Sequence, residues 1–379
     1  MIKSFKIRLF PTKEQEDLMW KHIGCSRFIY NYMLAKQEEL YKAGEKHLSA
    51  FDMMNLLKPL KKDGEHDWLY DVSSVTLQRV CGDLNEAYQG VFKKRTGFPK
   101  FKSRKKSKPN FPVGTQDLWF DESRNVHVSK LGRVKFKTDF EFPVGTGHKY
   151  SNARISNING KWMLSFGMEC ENQAPELTDY SVGIDLGIKD SAVVACNNEK
   201  LVFPNINKSH KVRLLKKQII HLQRSISRKY ETNKVGRIYL ETENIKRERQ
   251  KLRKLYAKLS NIRNNYIHQS THKIVSLLPK RVVMEDLNVQ GMMKNRHLSK
   301  AIQEQCFYEW LRQMKYKCEW RGIEFVQASR FYPSSKTCHK CGCVKHNLKL
   351  KDRTYVCDEC GYVEDRDFNA ALNLMSYEV

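Results

Sequence analysis

The chain has 379 residues, long enough for two or three domains with a substantial core, and carries 68 Lys and Arg against 42 Asp and Glu, a formal net charge of +26. A charge of that size calls for a polyanionic partner, and 40% hydrophobic residues with six Trp describe a folded chain, not a basic tail. No apolar run approaches the roughly 18 residues of a membrane span, and the N-terminus lacks a signal core. A soluble, cytoplasmic protein without a membrane partner is therefore expected.

Lys3 to Leu9 alternates apolar and basic residues, the period of a half-buried strand. Thr12 and Gln15 form a capping box that opens helices running to about Ala43. Further helices are predicted from about Ser49 to Leu57 and after Ser74, where Leu77, Val80, Leu84, Tyr88 and Val91 keep helical spacing. From Lys93 to Lys108 nine of sixteen residues are basic, with Phe98 and Phe101 between them. Such a block is either a solvated charge run or a strand of nucleic-acid contacts in which bases stack on the rings; the overall charge favours contact through Lys93, Lys94, Arg95, Lys100, Lys102 and Arg104. Short strands follow at Leu118-Trp119-Phe120, Val126-His127-Val128, Arg133 to Phe136 and Trp162 to Phe166. With the first strand they suggest a small β-barrel (residues 1–10 and 109–179) interrupted by a helical insertion (11–108).

A second domain is expected from Tyr180. Val182 to Gly187 reads as a buried strand carrying Asp185, with Ser191 to Cys196 as its hairpin partner. Two basic amphipathic helices follow, with apolar residues at Val212, Leu215, Ile219, Leu222, Ile226 and then Leu252, Leu255, Leu259, Ile262, Tyr266, predicting an antiparallel hairpin. His268 and His272 lie one turn apart, but Gln269 stands where a zinc protease needs Glu, so both read as ordinary helix residues. Arg281 to Leu287 is a strand ending in Glu285, a helix is predicted from about Ser299 to Trp320, and Ile323 to Ala328 returns as a strand.

The C-terminus holds Cys338-x-x-Cys341 and Cys357-x-x-Cys360, two knuckles separated by 15 residues. Paired thiolates at this spacing suit one closed tetrahedral Zn²⁺ site, a ribbon over 331–362 with Cys343 as a weaker competitor. The seven cysteines outside the knuckles lack a disulfide framework's spacing, as expected of free thiols in a reducing compartment. A short helix carrying Asp367 follows the ribbon. Strand, hairpin, helix, strand with Glu, helix, strand, helix with Asp is the order of an RNase H-like domain of RuvC type (180–330 and 363–379). Asp185, Glu285 and Asp367 are 100 and 82 residues apart, so only folding can bring them together. Three converging carboxylates need cations to stay ionised, and hard oxygen ligands select Mg²⁺ or Mn²⁺ for phosphodiester hydrolysis. Singly, each has a structural reading: strand-end turn, ion-pair partner, helix cap. Asp286 and Asp365 are the acids most easily confused with them.

The run Ser335-Lys336-Thr337-Cys338, the glycines after each knuckle, and Asp365-Arg366-Asp367-x-Asn369-Ala370-Ala371-x-Asn373 resemble the signature of the TnpB family. Gly24-x-x-Arg27-x-x-Tyr30-Asn31 is similar to that family's N-terminus. The resemblance implies an α+β multidomain protein: a wedge-type β-barrel with an inserted helical recognition lobe, then a RuvC-like nuclease domain with an inserted zinc ribbon. It implies an RNA-guided DNA endonuclease of a prokaryotic insertion sequence that takes its guide RNA from the transposon end and cuts double-stranded target DNA beside a short adjacent motif. It also favours Asp367 and Glu285 over their acidic neighbours. Motif readers would fall in the diverged segment, where Ser74, Thr76, Gln78, Thr115 and Gln116 are polar candidates on a predicted helix and turn. Lys336, Lys340, Lys345, Lys349 and Lys351 would touch the substrate strand. With five residues after Leu374, no tail is expected to add RNA contacts, and protein partners are not implied. A nuclease-silent RNA-guided regulator and a transposase acting directly on DNA are the alternatives.

Overall fold

A computed structural model describes the chain except residues 117, 146, 172–174, 198, 350, 351 and 379. The chain divides into two compact units, Met1–Glu171 and Asn172–Val379. Among the described residues no helix is long and apolar enough to cross a membrane.

The first unit runs β1 (Ile2–Phe10), α1 (Lys13–Lys42), α2 (Ala50–Lys61), a 3-10 turn, α3 (Ser74–Phe92), β2 (Asn110–Pro112), β3 (Trp119–Phe120), β4 (Asn125–Val128), β5 (Gly132–Lys137), β6 (Tyr150–Ile158) and β7 (Lys161–Glu169). The strands form one antiparallel sheet in the order β2-β6-β7-β1-β5-β4-β3. The sheet is curled. Phe120 of β3 lies 4.9 Å from the Phe166 ring of β7 and 5.3 Å from Tyr150 of β6, whereas four flat strand steps would separate β3 from β7 by about 19 Å.

Thr12 caps α1 as the sequence requires, its hydroxyl accepting from the Gln15 N–H while the Gln15 side chain accepts from the Thr12 N–H. The expected boundary between barrel and helical insertion does not divide the unit, because Met19 and Ile23 of α1 are buried in the sheet's core while Ile29, Met33 and Leu34 pack with α2 and α3. One helix serves two cores. Strands β2 and β6 were not legible in the sequence: Asn152, at φ 48°, sits where the β6 register shifts between Ser151 and Arg154, which breaks the alternation a strand reading needs.

The second unit runs β8 (Thr178–Asp185), β9 (Asp190–Cys196), β10 (Glu199–Pro204), α4 (His210–Thr232), a small hairpin of β11 (Lys234–Val235) and β12 (Ile238–Tyr239), α5 (Glu243–Val275), β13 (Pro279–Glu285), α6 (Val289–Met293), α7 (Ser299–Gln305), α8 (Phe307–Glu319), β14 (Glu324–Ala328), β15 (Thr354–Val356), β16 (Val363–Asp365) and α9 (Arg366–Met375). Five strands form a sheet in the order β10-β9-β8-β13-β14, antiparallel from β10 to β8 and parallel from β8 to β14.

Both faces of this sheet are covered, which is why β8, β9 and β13 read as continuous apolar runs. Val182, Ile184, Val194, Val282 and Met284 pack with Ile267 and Ile274 of α5 and with Trp310 and Met314 of α8. The alternate residues Val193, Ala195 and Val283 pack on the other face with Phe368, Ala371, Leu372 and Leu374 of α9. Helices α4 and α5 form a hairpin sealed by Val212, Leu215, Ile219 and Leu259.

Two expectations are corrected here. The helix read over 299–320 is broken at Cys306, which adopts φ 55°, ψ 43°, ending α7 where the buried Gln305 accepts from the Ser191 hydroxyl at 2.9 Å. Apolar spacing carries no sign of such a break. The ribbon ends beyond residue 362, because β16 pairs with β15 as far as Thr354↔Asp365.

Candidate active site and metal centre

Side chains alternate across a strand, so Asp185 shares the α9 face with Gly183, and Glu285 shares it with Val283. The parallel register sets Met284 beside Ile184, which brings Glu285 next to Asp185 at the carboxyl ends of the two strands. Asp367 stands one helical turn before Ala371, a residue of the α9 face that lies on the sheet. Two strand ends and one helix start therefore bring the three carboxylates to the same end of the sheet, though less closely than the cysteine sulfurs described below. Asp185 feels both others: burial, then the charges of Glu285 and Asp367, push its carboxyl well above the usual carboxylate range, opposed by Arg366. Burial also raises Glu285, against a hydrogen bond donated by the Ser334 hydroxyl.

Gly183 makes this approach possible. A Cβ on it would lie 2.0 Å from the Ala371 carbonyl oxygen and 2.4 Å from the Met375 nitrogen, so α9 rests directly on the β8 backbone. Gly183→Ala should lift the helix and cost about 1–3 kcal/mol or more. Thermal denaturation checks this, and an unchanged melting temperature would contradict the packing.

The acids that compete for the role in the sequence have other partners. Asp286 pairs with Arg330 at 2.6 Å. Asp365 caps α9, accepting from the Phe368 N–H at 3.0 Å, and lies 3.3 Å from Lys200; although burial works against it, these partners hold its carboxyl below the usual range. Asp367 itself accepts from Arg366 at 2.8 Å and faces Arg353 at 3.9 Å. A hard-oxygen set of three carboxylates, partly balanced by Arg366 and Arg353, is the kind that could hold divalent cations of the Mg²⁺ type.

The cysteines make the second centre. The Sγ atoms of Cys338, Cys341, Cys357 and Cys360 all lie within 4.8 Å of one another, and among the described residues no other His, Cys, Asp or Glu group gathers as closely; Cys343, His268 and His272 belong to none. Sγ separations of 3.6 Å (Cys338 to Cys360) and 3.5 Å (Cys341 to Cys357) compare with about 3.8 Å for four sulfurs at ~2.3 Å from a tetrahedral zinc. The residues fit the ion. Outside the cluster, Cys25, Cys81, Cys196 and Cys318 are buried free thiols.

Ribbon and carboxylates are joined through α9. Asn369 and Asn373, buried and one turn apart, donate to the Thr337 carbonyl at 2.8 and 2.7 Å; Asn373 also donates to the Ser334 carbonyl at 2.7 Å, and Asn369 accepts from the His339 N–H at 3.1 Å. Ser334, only 3% exposed, then reaches Glu285. Sequence reading passed over Ser334, and it took the two asparagines only as part of a signature; the signal available was their i, i+4 spacing beside a knuckle.

Three family models match in chain order: "Helix-turn-helix domain" over residues 1–46, "Probable transposase" over 165–296 and "Cas12f1-like, TNB domain" over 307–374. A "putative RNA-guided DNA endonuclease" of Streptomyces pristinaespiralis is 32% identical over 377 residues, spanning 99% of this chain and 89% of that protein. This chain belongs to the TnpB family. The Escherichia coli K12 protein InsQ, which carries the same description, is 30% identical over 392 residues, spanning 99% of this chain and 92% of its own. The Cas12f1 chain in a cryo-EM structure of its complex with sgRNA and target DNA shares the fold, with a TM-score of 0.62 at 14% identity over 99% of this chain and 98% of that one.

In this TnpB chain the basic segment 93–108 has no regular secondary structure, and Lys93, Lys94, Arg95, Lys100 and Arg104 are exposed together with Phe98 and Phe101. Asn31, from the N-terminal signature, fixes the segment by a pair of hydrogen bonds to the Lys102 backbone at 2.8 and 2.9 Å. The Lys102 ammonium turns inward, 3.4 Å from the centre of the Tyr30 ring, and burial lowers its pKa. Thr76 is a correction: it is 2% exposed and donates to the Pro112 carbonyl at 2.9 Å, so it ties α3 to β2 and offers no surface to a base. Ser74 is exposed but accepts from Lys61 at 2.9 Å, Thr115 accepts from Arg79 at 3.4 Å, and Gln78 and Gln116 are exposed. On the ribbon Lys336, Lys340 and Lys349 are exposed, Lys345 is pinned to Asp358 at 2.6 Å, and Lys351 lies outside the described residues.

Proposed function

We propose that this chain is an RNA-guided DNA endonuclease of an insertion sequence, with Asp185, Glu285 and Asp367 as the ligands of two Mg²⁺ or Mn²⁺ ions in a RuvC-like site. The observation that carries the reading is the convergence of these three carboxylates from β8, β13 and α9. The sheet order, an antiparallel hairpin side continued by two parallel strands with the acids at the switch, supports the RuvC-like assignment, and the curled antiparallel sheet supports a wedge-type barrel. The names of the two bacterial relatives support guide RNA and target DNA as partners. When bound, such ions activate a water and stabilise the leaving 3′ oxygen.

The protein's share of the work is placement. Ser334 holds Glu285 at the strand end, next to the end of the strand that carries Asp185. Arg366 and Arg353 hold the Asp367 carboxylate, which would be a ligand were a cation bound. The ribbon, closed by four thiolates, keeps no open ligand position and is structural in this reading. The exposed basic and aromatic residues of 93–108 take phosphates and bases, while Ser74, Gln78, Thr115 and Gln116 remain candidates for reading the adjacent motif.

The chain purified with its RNA should cut a DNA carrying the matching sequence beside the correct motif only when Mg²⁺ or Mn²⁺ is present. Absence of product across a library of adjacent motifs would defeat the nuclease reading, and cutting without RNA would favour a guide-free transposase. Ser334→Ala should require about tenfold more Mg²⁺ for half-maximal cutting, since its hydrogen bond to a charged group is worth about 1.5–3 kcal/mol. RNA binding serves as the control, and an unchanged Mg²⁺ requirement would remove Ser334 from the site.

A further inference from the structure

The first unit contains a cavity of about 790 Å³ that adjoins the basic segment, whose Arg104 lines it. One face of α1 forms a wall with Trp20, Ile23, Gly24 and Arg27, spaced three, four and seven residues from the first, and Lys102, Lys108 and Arg154 close other sides. The volume lies within the range of pockets that hold a small organic molecule, and is far larger than one inorganic anion needs.

Three features of the lining point to a ligand. Arg27 makes no hydrogen bond or ion pair among the described residues, although Asp83 lies in the same wall; that carboxylate is already taken by Arg154 through two contacts of 2.8 Å. Gly24 occupies the middle of a 30-residue helix, where glycine weakens the fold, yet a Cβ there would meet nothing within 4 Å. Packing does not demand this glycine, and its effect is to leave the helix backbone bare at the cavity. Trp20 is 44% exposed and is steadied edge-on by Trp162 at 5.1 Å, a ring held ready for stacking.

We propose that this cavity seats a single nucleotide of a nucleic-acid strand, with its phosphate on Arg27 and its base on Trp20. A phosphate supplies the acceptor that Arg27 lacks, and a base supplies the flat apolar face that an isolated phosphate does not. Asp83 is the one acid in the lining, and its pairing with Arg154 leaves the remaining cations unbalanced, so the pocket selects an anion. The nucleotide comes either from the guide RNA or from the target DNA. The proposal rests on the RNA-guided reading only for these two sources.

The test uses the full chain with the RNA that copurifies with it and a labelled DNA duplex matching that RNA. Gly24→Leu fills the cavity, and Arg27→Gln removes one charge from a solvent-reaching position should the first variant not fold. Each is expected to weaken binding about tenfold or more, as loss of one stacked base or one phosphate contact does. A loss confined to RNA binding by the RNA-free chain assigns the nucleotide to the guide, and a loss confined to DNA binding by the RNA-loaded chain assigns it to the target. Variants that fold, shown by an unchanged melting temperature, and bind both within a factor of about two overturn the pocket. If the wild-type chain binds but does not cut, the nuclease reading falls while the pocket is still decided by binding. If it binds neither strand, both fall.

Discussion

Asp185→Ala is expected to abolish cleavage of target DNA, by a factor on the order of 10³ or more, while the variant binds its RNA as the wild type does and melts at a higher temperature when metal is absent. The first effect follows from the proposed role, since the charge stabilisation lost with a metal ligand is several kcal/mol and each ~1.4 kcal/mol is a factor of ten. The second follows from position, because Asp185 is at the end of a core strand, remote in sequence from the basic segment of the first unit. The third follows from its titration. The folded carboxyl is raised above its unfolded value by burial and by Glu285 and Asp367, so the folded state holds a proton that the unfolded chain gives up. Its contribution is neutral below the unfolded pKa, near 4, and becomes a growing penalty as pH rises through the raised folded pKa. Removing the carboxyl removes that penalty, and each kcal/mol relieved raises the melting temperature by about 2–4 °C. Scans in a chelator from pH 5 to pH 8 should show the difference between variant and wild type widening with pH. A variant that melts lower at every pH, or loses RNA, would make Asp185 a structural residue.

Cys357→Ser is expected to release zinc and, with it, most of the cutting activity. Structural zinc contributes about 10–16 kcal/mol of apparent binding free energy in small zinc domains, and a ribbon with three β-pairs and a handful of buried residues has little else to hold it. Loss then spreads by named contacts. Without the ribbon the Thr337 and Ser334 carbonyls have no fixed position for Asn369 and Asn373 to hold, and Ser334 no longer steadies Glu285. Zinc content by elemental analysis and cleavage by the same preparation should fall together. Full zinc occupancy would refute the ligand set, and zinc loss with unchanged cutting would sever ribbon from carboxylates.

Much of the second unit was legible because its signals are local. The apolar runs of β8, β9 and β13, the alternating spacing of α4 and α5, and the paired knuckles each announce themselves within about two dozen residues. Strand β6 was hidden because Asn152 and a register shift destroy its alternation, and the break at Cys306 was hidden because it answers to Gln305 and Ser191, which are distant in sequence. Thr76 was misread for a similar reason, since a polar residue on a helix shows in the sequence but its burial against Pro112 does not.

What the sequence determined by itself is the chemical inventory: acids at strand ends, four thiols at ligand spacing, a basic segment with interleaved rings, and a net charge that demands a polyanion. Those depend on residue type and near spacing, which covalent geometry and helical or pleated periodicity convert directly into position. What only the tertiary structure decided is which groups meet. The parallel register of β8 and β13 sets Asp185 beside Glu285, a missing side chain at Gly183 lets α9 bring Asp367 down, and Ser334 ties the cysteine ribbon to a carboxylate. These encounters join residues roughly 50 to 190 positions apart, and no local period records them, because they come from packing that only the whole folded unit fixes.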